Sequence, residues 1–195
     1  MRAPSSGTVI TASLSVEGKA YESVQIISVQ IEGGHENTAG AEVELADVDA
    51  GGFASEVVDD APLNIGKDLE IHLGYEGITG PVFSGQIASK RLIVSQAADT
   101  RVRIGLTGVL LGSSEGIVLT HQKDLLTLDI TVSEGAVSGQ TICSGTSVRV
   151  GSGLRLNGVS KSFDWRDYEI TGVQHLVEAG LWTTTLHSHT HHDPE

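Results

Sequence analysis

One cysteine, Cys143, stands in 195 residues, so an intrachain disulfide is excluded and nothing marks an oxidising compartment. Aromatic residues make up only 4 % of the chain, too few for a cleft lined with stacked rings. Proline is scarce, at four residues. Basic residues are outnumbered, twelve Lys and Arg against twenty-five Asp and Glu, for a net charge of −13. So acidic a surface repels phosphate backbones and anionic bilayers, and direct sequence-specific nucleic-acid binding is not expected. No apolar run approaches the roughly 20 residues of a membrane-spanning helix. The opening MRAPSSGTVITASLSVEG contains no signal-peptide h-region. The expectation is a chain made in the cytoplasm, without a membrane anchor.

Hydrophobic residues are 39 % of the total, enough for a core, and glycine is frequent at 24 residues. Apolar and polar residues alternate with period 2 through many short runs, the pattern of half-buried strands. The clearest are Thr8–Val16, Val24–Glu32, Ala41–Asp47, Leu69–Tyr75, Val82–Val94, Arg101–Leu110 and Leu125–Val132. Residues 145–187 add Val148 to Leu156, Tyr168 to His175 and Leu181 to Leu186, the last two joined by Glu178-Ala179-Gly180 in an antiparallel hairpin. Gly85 is expected to bend the long run around it. Ser133–Gly139 reads as a turn and Gln140–Cys143 as a short strand. The acidic, glycine-broken stretch Asp47–Ala61 reads as a loop with one helical turn near Phe53–Val58. The fold class that follows is all-β: two tandem small antiparallel barrels. The first, with an N-terminal arm, occupies 1–111, a linker 112–122, and the second, with a His-rich tail, 123–195. Barrel closure would hide strand edges. The two blocks share no exact sequence repeat.

Several groups invite a chemical reading. His187, His189 and His191 alternate, so an extended chain puts them on one face with His192 beside them. Three imidazoles at that spacing suit a transition metal, against the plainer reading of a solvated tail. His175 with Asp164 or Asp167 suggests part of a hydrolytic triad. No G-x-S-x-G elbow accompanies them, and a structural role is expected. Cys143 sits in an apolar run and reads as a small buried hydrophobe. Gly151-Ser152-Gly153 lacks the spacing of a dinucleotide loop and reads as a turn. Asp47, Asp49, Asp59 and Asp60 lack the spacing of a calcium loop. Trp165 and Trp182 are candidate contact anchors.

The order of the runs carries a resemblance. Ala41-Glu42-Val43-Glu44-Leu45-Ala46-Asp47 is followed by Gly66 through Gly77, containing Glu70-Ile71, Leu73-Gly74-Tyr75 and Gly77. Val82-Phe83-Ser84-Gly85-Gln86-Ile87 comes next. This resembles the first barrel of the Vgr/VgrG and phage late-control D family, the hub of contractile injection machines. Tyr168-Glu169-Ile170, Val173 and His175, followed by Gly180, Trp182 and Thr183-Thr184-Thr185-Leu186, resemble its second barrel. Asp164-Trp165-Arg166-Asp167 departs from the pattern, where that family has a glycine before the aromatic.

The resemblance implies a non-enzymatic homotrimer whose six barrels form a pseudo-sixfold ring between a hexameric tail tube and a threefold spike. It also implies contact with other baseplate proteins, in a phage virion or an injection particle. It makes Tyr75, Phe83, Tyr168, His175 and Trp182 structural or interface residues, and calls for no cofactor beyond the metal considered for the His run. The needle is expected on a separate protein. Three copies would carry three times −13, or −39, enough to repel acidic cargo from a bore. The alternative reading is a soluble β-sandwich binding module or adhesin for carbohydrate or protein.

Overall fold

Alternating side chains bury one face of nearly every strand, and the strands then satisfy their backbone groups by pairing. The computed structural model describes residues 9–22, 24–34, 38–47, 61–95, 98–134, 136–164 and 166–191. The first block holds β1 (Ile10–Val16), β2 (Lys19–Tyr21), β3 (Val24–Gly33), β4 (Thr38–Asp47), β5 (Asp68–Tyr75), β6 (Ile78–Ser95) and β7 (Ala98–Leu110). The second holds β8 (Ile117–Thr120), β9 (Leu125–Ser133), β10 (Ala136–Ser144), β11 (Gly153–Asn157), β12 (Tyr168–Glu178) and β13 (Leu181–His191). Among the described residues a 3-10 turn, Ala61–Leu63, buries Leu63. The helical turn read near Phe53–Val58 lies outside the described residues.

The all-β expectation holds, and the pairing is antiparallel apart from β8 with β11 and three isolated bridges. The blocks are not two separate closed barrels. One hydrogen-bonded path runs β2-β1-β5-β6-β7-β4-β3-β12-β13-β10-β9, and it has two ends. The blocks meet where β3 pairs with β12, from Gly33 opposite Val173 to Ser28 opposite Glu178. Their cores are correspondingly one cluster, drawing on Val29, Ile71 and Phe83 from one block and Leu154, Ile170 and Leu186 from the other.

Three local expectations are corrected. The stretch 112–122 is not a plain linker. It contains β8, parallel to β11 from Ile117 opposite Leu154 to Thr120 opposite Asn157. Gly116 permits this by lying against the Gly153 backbone, where a Cβ would come within 3.1 Å of the Gly153 carbonyl oxygen. Ser133–Gly139 is mostly strand, because Val137 turns inward to the core at 1 % exposure and draws β10 out to Ala136. Gly85 is not itself an irregularity in β6: the register shifts fall at Val82 on the β5 side, and between Ile87 and Ser89 and between Ile93 and Ser95 on the β7 side. Gly85 instead faces Gly108, and a Cβ on it would stand 2.8 Å from the Phe83 ring. The glycine pair therefore lets β6 and β7 approach under a fully buried phenylalanine.

Candidate functional site

The seam between β3 and β12 organises the molecule. Along its inner face runs a row of directly opposite residues: Cys143, Thr184, His175, Ile31, Ala41, Leu106 and Ile87. All are buried. The row crosses both blocks without meeting solvent, so the seam is an extension of the core.

His175 is the polar member that most needs explaining, being fully buried. Its Nδ1 lies 3.0 Å from Thr184 Oγ1. The Thr146 N–H donates to that oxygen at 3.1 Å, and the Thr184 hydroxyl donates to the Thr146 carbonyl at 3.3 Å. With the hydroxyl proton committed there, Nδ1 is the donor and carries the ring proton. Among the described residues Nε2 has no hydrogen-bond partner. Burial pulls the imidazole down to about 4, so it is neutral at pH 7.

Trp182 stands edge-on to His175, ring centroids 5.9 Å apart, and stacks on Tyr75 of the first block at 5.4 Å. The Tyr75 hydroxyl donates to the Gly145 carbonyl at 3.4 Å, and the Gly145 N–H donates to the Trp182 carbonyl at 2.9 Å. Burial pushes the Tyr75 phenol up. The end of β5 is thus pinned onto the second block by an aromatic stack. Tyr75, His175 and Trp182 come together here. Phe83 lies in the first-block core, and Tyr168 at the start of β12, both buried. Ile31, Gly145, Thr146 and Thr184 complete the cluster and were not singled out by sequence. Of these, only Thr184 carried a signal, its place in the alternating series Trp182, Thr184, Leu186.

Asp164 does not approach this histidine. Its carboxylate accepts the N–H groups of Gly158, Val159 and Ser160 at 2.8 to 3.1 Å and closes that turn. Desolvation pushes its carboxyl up, and the three donors outweigh this to leave it below its usual range. Asp167 pairs with Arg155. Cys143 is buried, its thiol pushed up to about 12 by desolvation first and by Asp124 second, and it donates to the Thr184 carbonyl at 3.5 Å. Ser152 donates to the Ser113 carbonyl, with Gly151 in the left-handed region at φ 84°. Asp49, Asp59, Asp60, Trp165 and His192 lie outside the described residues, as do the side chains of Asp47 and His191.

β13 does not stop at Leu186 and runs on to His191. Leu186 and Ser188 turn inward, while His187 is exposed and His189 half-buried on the outer face. Among the described residues no three His, Cys, Asp or Glu side chains are grouped to hold a metal. The outer face is largely polar, with Leu176 and Val109 exposed on it. One row crosses it through Asp129, Gln140 and His187. Another crosses the seam through Gln174 and Glu32. Farther along, Glu44 is clasped by Arg101 at 2.6 Å and Arg103 at 3.0 Å. The Arg101 hydrogen bond outweighs desolvation there and holds the carboxyl below its usual range.

The family described as Alg8 N-terminal domain, Alg8_N, matches residues 6–107, just over half of the chain. The chain belongs to the Alg8_N family. The Alg8_N match ends within β7, so the second block lies beyond it. It bears a different name from the family the motifs resemble. No curated protein matches the chain.

Solved structures similar to this Alg8_N chain include two tail proteins and a type VI secretion component. One is the tail protein from Neisseria meningitidis MC58, at 7 % identity and a TM-score of 0.59, covering 93 % of this chain and 96 % of that one. Another is the 43 kDa tail protein of prophage MuSo2 from Shewanella oneidensis, at 7 % identity, a TM-score of 0.60 and the same two coverages. A third is the E. coli c3393 protein, described as a type VI secretion component with structural similarity to the T4 tail proteins gp27 and gp5. It matches at 10 % identity and a TM-score of 0.59 over 90 % of this chain and 76 % of that one. Both blocks, in their relative arrangement, therefore have the fold of phage-type tail proteins.

Proposed function

We propose that this Alg8_N chain is a non-enzymatic structural subunit of the baseplate hub of a contractile injection machine. Three copies arrange six related sheet blocks in a ring, which meets a hexameric tail tube on one side and a threefold spike or needle protein on the other. Other baseplate proteins surround it, in a phage virion, a type VI-like apparatus or an extracellular injection particle assembled in the cytoplasm.

The observation that carries this reading is the seam. Two blocks locked edge to edge into one sheet form a rigid arc, and arcs of this kind build rings. The match to tail proteins over nearly the whole chain supports it, as does the ordered resemblance to Vgr-type hub barrels. The polar outer face, with Glu32, Glu42, Asp129 and Glu169, suits the wall of a conduit that acidic cargo passes without sticking.

Light scattering on the untagged protein tests the reading. The expected mass is three times that of one chain. A stable monomer over a wide concentration range overturns it.

A further inference from the structure

The two blocks repeat one strand plan that the sequence conceals. In the first, the hairpins β3-β4 and β6-β7 lie in the spatial order β6-β7-β4-β3. In the second, the hairpins β9-β10 and β12-β13 lie in the order β12-β13-β10-β9. The strand between the hairpins also behaves alike. β5 pairs with the first half of β6, up to Gln86, and β11 with the start of β12, at Tyr168 and Glu169. Chain order and neighbours therefore make β3 the counterpart of β9, and β6 the counterpart of β12.

The seam joins the outer edge of β3 to the second half of β12. Its counterparts are the outer edge of β9 and the second half of β6. Among the described residues both are open. β9 has β10 as its only strand partner, and β6 beyond Ile87 has only β7. The inner-face residues show what is missing. Val29 and Ile31 of β3 are 0 % exposed, whereas on β9 Leu128 and Ile130 are only half-buried and Val132 is 53 % exposed. On β6, Leu92 is 43 % and Val94 72 % exposed, where Val177 of β12 is at 7 %. Long apolar edges are ordinarily shielded by charge or proline or are paired, and β9 carries one charge, Asp129, and no proline.

We infer that β9 of one copy pairs antiparallel with Ala88–Ser95 of β6 in the next copy, repeating the internal seam between chains. Counting back from the last inner-face residue of each strand, Gly33 of β3, Val132 of β9, Val177 of β12 and Val94 of β6, gives the register. Gly33 opposite Val173 becomes Val132 opposite Lys90. Ile31 opposite His175 becomes Ile130 opposite Leu92. Val29 opposite Val177 becomes Leu128 opposite Val94. On the outer face Thr131 falls opposite Arg91, which is then diagonal to Asp129, a favourable charge placement. The contact is head to tail, so the copies close into a ring if the rotation allows and extend into a filament if it does not. That the ring closes at three copies rests on the hub reading; the choice of edges rests on the strand plan.

The test introduces Arg91→Cys in one preparation and Thr131→Cys in another, leaving the buried Cys143 in place. Directly opposite side chains are close enough for a disulfide after small adjustment. Mixed and mildly oxidised, the two preparations are expected to give a disulfide-linked pair of chains, and neither preparation alone a linked product. Both substitutions in one chain are expected to give a covalent three-chain species. A multi-chain assembly by light scattering with no cross-link in the mixture overturns the edge pairing and leaves the hub reading standing. Self-cross-linking of either single variant overturns the head-to-tail contact. A monomer at all concentrations overturns both the pairing and the hub reading.

Discussion

His175 lies directly opposite Ile31 across the seam, the one from β12 and the other from β3, and neither is exposed. A titratable ring therefore sits in the joint between the two blocks, and the joint inherits its proton chemistry.

The folded protein holds this imidazole down to about 4, against an ordinary value of 6.5. Between those values the unfolded chain binds a proton that the folded chain refuses. The ring's contribution is complete above pH 6.5 and is lost as pH falls toward 4, about 3 kcal/mol in all. Urea midpoints should fall through that window. In His175→Leu the same window should be nearly flat. Parallel slopes in the two proteins would show that other groups govern the acid response.

Gly145 lies under the indole of Trp182, where a Cβ would stand 2.0 Å from Cδ2. Gly145→Ala should push the ring off Tyr75 and cost roughly 1–3 kcal/mol. Trp182→Ala removes the ring itself and should cost about 3–5 kcal/mol. In the Trp182→Ala background the added alanine should cost almost nothing, since the clash has gone. Denaturation of the four proteins measures this, and additive costs would refute the contact.

His187 and His189 share the outer face of β13 at about 6.6 Å along the strand. Neither is grouped with two further ligands among the described residues. Elemental analysis of protein made without an affinity tag should find transition metal well below one ion per chain. Stoichiometric metal, lost in His189→Ala, would instead make the His run a true site.

Much of the strand content was legible because period-2 alternation is a local signal. Val43 and Leu45 against Glu42 and Glu44 declare their faces without reference to any other segment. β2 escaped because its three residues are too few to show a period. β10 was cut short because Ser138 and Gly139 resemble a turn until Val137 is known to be buried. The seam was illegible for a different reason. Nothing within Val29–Ile31 or Val173–Val177 states that one run will neighbour the other some 140 residues away. The candidate site suffered likewise. His175 and Trp182 stood out by residue type, but Tyr75, Gly145 and Thr146 join them only through the fold. The block repeat was hidden because it lies in strand order, which sequence comparison does not read.

The seam also has a mechanical meaning. Six registered residue pairs tie β3 to β12, and β8, held to β11, occupies the stretch where a swivel between blocks would have to be. The chain therefore carries load as one beam. A force on either block is resisted by a ladder of backbone hydrogen bonds stressed together. Any yielding under load must fall between molecules, not within one.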